Sequence, residues 1–127
     1  MHWNSTGITV VGVTGQNGTS PNHLRLPFGL TFDYKNTLYV ADYGNSRIQM
    51  FSSDFSIGTT IAGFPNATQV HGNNGFHYAT DIIVDSDDNM YIADFGNNRV
   101  QLWTKNASYG TKIAGFGKIL YELMKFF

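Results

Sequence analysis

The stretch Leu38-Tyr39-Val40-Ala41-Asp42-Tyr43-Gly44-Asn45-Ser46-Arg47-Ile48-Gln49-Met50-Phe51 returns 52 residues later as Met90-Tyr91-Ile92-Ala93-Asp94-Phe95-Gly96-Asn97-Asn98-Arg99-Val100-Gln101-Leu102-Trp103. Most differences between the two exchange one apolar residue for another of similar shape. Working outward at the same offset, residues 27–64 fall on 79–116 without a gap, and fifteen of the 38 pairs are identical. Both copies close on Ile-Ala-Gly-Phe (61–64 and 113–116). Internal repetition at a period of 20 to 50 residues or so marks a stacked or radial architecture. A third, partial copy precedes them: Thr9-Val10-Val11-Gly12 matches Thr60-Ile61-Ala62-Gly63, and Trp3 echoes Trp103. The expected division is thus 1–12 as the last strand of a preceding blade, 13–64 and 65–116 as complete blades, and 117–127 as an atypical tail whose apolar spacing fits a short amphipathic helix.

Each copy carries four strand signals separated by turn residues. They cover 29–32, 37–41, 46–51 and 59–62 in the first copy, and 81–84, 89–93, 98–103 and 111–114 in the second. The first two strands of each copy are apolar on both faces, as a sheet sandwiched between neighbours requires. The third alternates, Ile48 and Met50 against Arg47 and Gln49, which places it nearer a rim. Between the second and third strands stands Gly-Asn, a pair suited to positive φ in a tight hairpin. The fold class expected is all-β: about two and a fraction four-stranded antiparallel blades of a partial β-propeller.

The pattern running from Asp33 to Gln49, and again from Asp85 to Gln101, resembles the NHL repeat. The resemblance implies four-stranded blades, usually six to a ring, and says little about activity. Similar propellers serve as target-recognition domains of tripartite-motif ubiquitin ligases, as extracellular domains of bacterial kinases and as the catalytic body of peptide-amidating lyases. Two and a fraction blades cannot close a ring. The remaining blades are expected from a longer parent chain or, failing that, from self-association.

Composition narrows the function classes. Charged residues make up 13% of the chain and the net charge is −1, so there is no basic stripe for nucleic acid and a protein partner is favoured. No apolar run is long enough to span a bilayer. Cysteine is absent, which removes disulfides and thiolate metal sites. Four Asn-x-Ser/Thr triplets, at Asn4, Asn17, Asn66 and Asn106, tilt the compartment towards the cell exterior, although Met1-His2-Trp3-Asn4-Ser5-Thr6 does not open like a secretory leader.

Alternating strand direction brings the long connections 13–28 and 65–79 to the same face as the Gly-Asn turns. Tyr43, Asn45, Phe95 and Asn97, with the loop histidines His23, His71 and His77, are therefore the expected contact residues. Asp42, Arg47, Asp94 and Arg99 recur in every copy, which fits a job every blade needs, Asp accepting turn N–H bonds and Arg pairing with it or with a neighbouring carbonyl, better than a unique site. Asp85-Ser86-Asp87-Asp88-Asn89 begins like a calcium loop but lacks its glycine and distal glutamate. No residue is assigned to catalysis, and no metal or cofactor is expected. The functional expectation is a non-catalytic protein-interaction scaffold, such as the target-recognition part of a tripartite-motif-like ubiquitin ligase; the alternatives are a fragment of a peptide-amidating-lyase-like or lactonase-like propeller enzyme, or an RNA-binding NHL domain.

Overall fold

The computed structural model describes residues 6–115. Trp3, the triplet at Asn4 and the 117–127 tail lie outside these residues. Two antiparallel sheets of four strands each follow one another along the chain. The first contains β1 (Pro27–Phe32), β2 (Leu38–Asp42), β3 (Arg47–Phe51) and β4 (Gly58–Gly63), and the second contains β5 (Ala79–Val84), β6 (Met90–Asp94), β7 (Arg99–Trp103) and β8 (Thr111–Ala114). Strand order in space follows order in sequence in both, an up-and-down meander.

Even the irregularities repeat. The first pair of strands slips between Pro27 and Gly29 in one sheet and between Ala79 and Asp81 in the other. The last pair slips between Ile48 and Gln49, and between Val100 and Gln101. Such bulges raise twist and re-aim side chains, and their recurrence at a fixed offset marks them as part of the blade design.

Side chains of β2 explain why the sheets stack. Leu38 and Val40 point to one face and pack with Phe51 against Val11, Leu24 and Phe55. Tyr39 and Ala41 point to the other, joining Ile48 and Ala62 in a core shared with the second sheet. That sheet answers with Ile82, Met90, Ile92 and Trp103, and the loop entering it with Phe76. Phe76 and Trp103 stack at 5.4 Å between ring centroids and are almost wholly buried. Burying each such side chain is worth about 2 to 3 kcal/mol.

Two local expectations are corrected. Residues 9–12 form no strand: a fourth strand needs the third strand of its own sheet to pair with, and none exists for it among the described residues. Val11 instead lies against the outer face of the first sheet. The Gly-Asn turns are also built differently. Tyr43–Asn45 and Phe95–Asn97 each form one turn of 3-10 helix, and positive φ falls on the residue that leaves it, Ser46 (φ 50°) and Asn98 (φ 53°). Gly44 is needed for another reason: a Cβ there would stand 2.7 Å from the Arg25 carbonyl oxygen.

The same crowding operates where the innermost strands meet. A Cβ on Gly29 would lie 2.6 Å from Asp81 Oδ1, 2.7 Å from the Thr80 carbonyl oxygen and 2.8 Å from Asp81 Cα. Gly29→Val should therefore push the sheets apart and cost about 1 to 3 kcal/mol, measured as a lower urea midpoint with an unchanged slope.

Candidate functional site: the loop-bearing end

At one end of the two sheets, each long loop is tied to the hairpin turn of the sheet it enters. In the first sheet, Asp42 and Arg47 are fully buried and bonded, Arg47 Nε to Asp42 Oδ2 at 2.8 Å. Asp42 Oδ1 accepts the backbone N–H of Arg25 at 2.7 Å. The Arg47 guanidinium donates to the carbonyls of Thr19 (2.7 Å), Ser20 (3.2 Å) and His23 (2.9 Å), and to Pro65 (3.0 Å) at the start of the next loop. Asn45 Nδ2 donates to the Gly18 carbonyl at 2.7 Å and to Asp42 Oδ2 at 2.8 Å. Gln49 Nε2 adds a bond to the Pro21 carbonyl at 3.1 Å.

The second sheet repeats the arrangement 52 residues on. Arg99 Nε meets Asp94 Oδ2 at 2.8 Å, and Asp94 Oδ1 accepts the His77 N–H at 2.8 Å. Arg99 donates to the carbonyls of His71, Gly72 and Gly75. Asn97 Nδ2 donates to Val70 at 2.8 Å and to Asp94 Oδ2 at 2.9 Å. Gly44 and Gly96 seal the turns, their N–H groups donating at 2.7 Å to the carbonyls of Arg25 and His77. The residue before each inner strand, Leu26 or Tyr78, turns left-handed (φ 50° and 65°). That is uncommon for bulky side chains and persists where surrounding bonds fix it.

Two expected contact residues are thereby relocated. Asn45 is fully buried, so its side chain supports the loop and cannot meet a partner; Asn97 is half-buried in the matching role. Arg47 and Gln49 are buried too, where alternation along the third strand suggests a rim position. The loop covers them, which the strand pattern alone does not reveal.

What faces outward is a run of rings. Tyr43 is sandwiched between Phe28 (4.5 Å) and Tyr78 (4.7 Å, nearly parallel), so one column crosses from the first sheet to the second. It continues through His77 (4.7 Å from Tyr78) to His71 (5.5 Å from His77). His71 Nδ1 and Asn97 Oδ1 share a hydrogen bond, and His77 Nδ1 is buried with no partner among the described residues. His23 stands apart on the first loop, bonded to Ser20. Phe28 and Phe95 are each more than half exposed, as is Leu26. Phe28, Tyr78 and Leu26 escape the sequence reading because none recurs at the 52-residue offset, where Thr80, Leu26 and Tyr78 stand respectively.

The opposite end is made of carboxylate-closed turns. Asp33 Oδ1 accepts the N–H groups of Lys35 (2.8 Å) and Thr37 (3.0 Å), and Tyr39 Oη donates to its Oδ2 at 3.2 Å. Asp85 holds Asp87, Asn89 and Tyr91 in the same way. The calcium-loop-like start is thus a hairpin whose first carboxylate is occupied by backbone donors. Burial raises the Asp33 and Asp85 carboxyls, but these hydrogen bonds outweigh it and hold both below the usual value. Burial, and then the Asp33 carboxylate, push the Tyr39 phenol up to about 12. Among the described residues no three His, Cys, Asp or Glu side chains converge as a metal site would need, and no helix is long and apolar enough to cross a membrane.

Stacked four-stranded meanders whose loops dock on their own hairpins define the chain as part of a β-propeller. The solved structure of virginiamycin B lyase from Staphylococcus aureus superposes with a TM-score of 0.53 over 82% of this chain and 29% of that one, at 16% identity, a likeness of fold. The repeat is NHL-like: the chain is similar to NHL repeat-containing protein 3 of Homo sapiens, 30% identical over 77 residues, and to its Mus musculus counterpart at 29%. These alignments cover 61% of this chain, which spans about a fifth (22%) of each relative's length. No family model matches the chain.

Two measurements follow from the geometry. Arg47→Ala leaves a buried carboxylate unpaired and should cost about 3 to 5 kcal/mol, while Arg99→Ala, whose side chain keeps 11% exposure, should cost less; urea unfolding of both variants gives the comparison. Asp33 and Asp85 ionise more readily folded than in the unfolded chain, where Asp titrates near about 3.9. Their contribution is therefore present above that pH and is lost as pH falls through the depressed folded-state values. Thermal melts between pH 7 and pH 2 should show an acid-side loss of Tm that Asp33→Asn makes shallower.

Proposed function

We propose that this segment is a non-catalytic interaction scaffold, and that the loop-bearing end is its contact surface. The carrying observation is the ring column Phe28–Tyr43–Tyr78, flanked by exposed Leu26 and Phe95. Aromatic side chains dominate binding energy where they are held rigid, because little rotamer entropy is lost on contact. Here the supporting loops are fixed by buried Asp–Arg pairs, which act as scaffold in this reading. Tyr43, Phe95, His71 and His77 then contribute contact area, and Asn45 and Asn97 contribute positioning. In a parent of tripartite-motif type, such a segment would select the target while the ligase chemistry lies elsewhere. A protein partner is favoured over RNA because the free cation on this end, among the described residues, is Arg25 alone.

Photo-crosslinking tests this directly. A benzophenone side chain at Phe28 or Phe95 should trap a protein partner, whereas the same probe at Tyr34, on the opposite end, should not. Binding of the trapped partner, once purified, should weaken about tenfold or more in a Phe28→Ala, Phe95→Ala double variant. Crosslinks concentrated at Tyr34 would overturn the assignment.

A further inference from the structure

The two ends of the sheet pair differ in charge as well as shape. At the loop-bearing end both carboxylates, Asp42 and Asp94, are fully buried and consumed by Arg47, Arg99 and backbone donors. Among the described residues Asp54 and Asp87 are exposed in turns at the far end, and Asp81 is exposed near the start of β5, against Gly29, where its Oδ1 accepts the Ile82 N–H. Arg25 is the counterpart. Its backbone is pinned on both sides, N–H to Asp42 and carbonyl to Gly44. Its stem lies over Gly44, where a Cβ would come within 2.6 Å of Arg25 Cγ. The side chain is exposed, and no hydrogen bond or ion pair engages its guanidinium among the described residues.

We infer that the loop-bearing end recognises a peptide segment in which a carboxylate is flanked by aromatic or large apolar residues, Arg25 taking the carboxylate and the Phe28–Tyr43–Tyr78 column the flanking side chains. The inference rests on the interaction-surface reading and adds the partner's chemistry. A guanidinium suits a carboxylate because two parallel N–H groups match its two oxygens. With no exposed carboxylate on the loops or turns beside it, and with Asp81 at the start of β5 accepting the Ile82 N–H, the Arg25 guanidinium attracts an anionic partner and repels a cationic one. The aromatic column supplies the apolar area that a rim ion pair, weak by itself, does not.

The test uses the whole chain and two fluorescein-labelled peptide pools, one alternating aromatic residues with glutamate, the other identical but with lysine for glutamate. Anisotropy at low ionic strength should show the acidic pool binding about tenfold more tightly, which is about 1.4 kcal/mol. Arg25→Gln, which keeps the stem over Gly44, should remove most of that preference, as should added salt. Phe28→Ala should weaken binding of both pools. Equal binding of the two pools, no binding of either, or a preference that survives Arg25→Gln would each overturn the inference. Loop-end crosslinks at Phe28 and Phe95 alongside any of those results would mean that the surface is right and the acidic specificity wrong.

Discussion

A carboxylate and a guanidinium held out of water, 2.8 Å apart, set the terms for each blade. Neither Asp42 nor Arg47 is tolerable in the interior alone, and their mutual attraction does not by itself offset the loss of two hydration shells. The remainder comes from backbone. Asp42 takes the Arg25 N–H, and Arg47 spends its other donors on four carbonyls. The loop is therefore ordered because the ion pair needs it, and the ion pair is buried because the loop covers it. Removing either leaves the other with unsatisfied charge or unsatisfied peptide groups.

This mutual need ties the scaffold to its surface. The loop returns to β1 through a left-handed residue, and that turn sets where Phe28 emerges beside Tyr43. The second loop does likewise through Tyr78, whose ring lies on Tyr43 and whose N–H bonds to Ser46 Oγ at 3.0 Å. One hairpin turn thus receives its own loop on one side and the following loop on the other. The ring column is the outer surface of that junction, and the ion pairs beneath hold the loops that carry it.

The sheets were legible because sequence identity concentrates where side chains must fit a repeated core: 38–51 against 90–103. The loops were not. Their anchoring carbonyls belong to Gly18, Thr19, Ser20 and His23 in one copy and to Val70, His71, Gly72 and Gly75 in the other, with no identity between them. A carbonyl is present whatever the side chain, so this structural repetition leaves no trace in residue type. Only the side-chain partners, Asp, Asn and Arg, are visible, and Asn45 was legible as a repeat position without revealing that it faces inward. Phe28, Tyr78 and Arg25 pose the converse problem: they differ from Thr80, Leu26 and His77 at the equivalent sites, so a repeat comparison passes over them. Departure from the repeat in an otherwise faithful frame is the signal that would have found them.

The span of the anchoring bonds bears on how the chain acquires its shape. Arg47 reaches back 24 to 28 residues for its loop acceptors on the N-terminal side, and Asp42 reaches back 17. The loop is thus fastened by residues that leave the ribosome soon after it, with no need to wait for the second sheet. The bonds that enclose the 52-residue unit span shorter separations than the contacts between sheets. Short closure distances favour fast ordering, and nearest-neighbour stacking lets it propagate from one unit to the next. Synthesis from the N-terminus would then lay down the blades in sequence, each presenting a finished face to the sheet that follows.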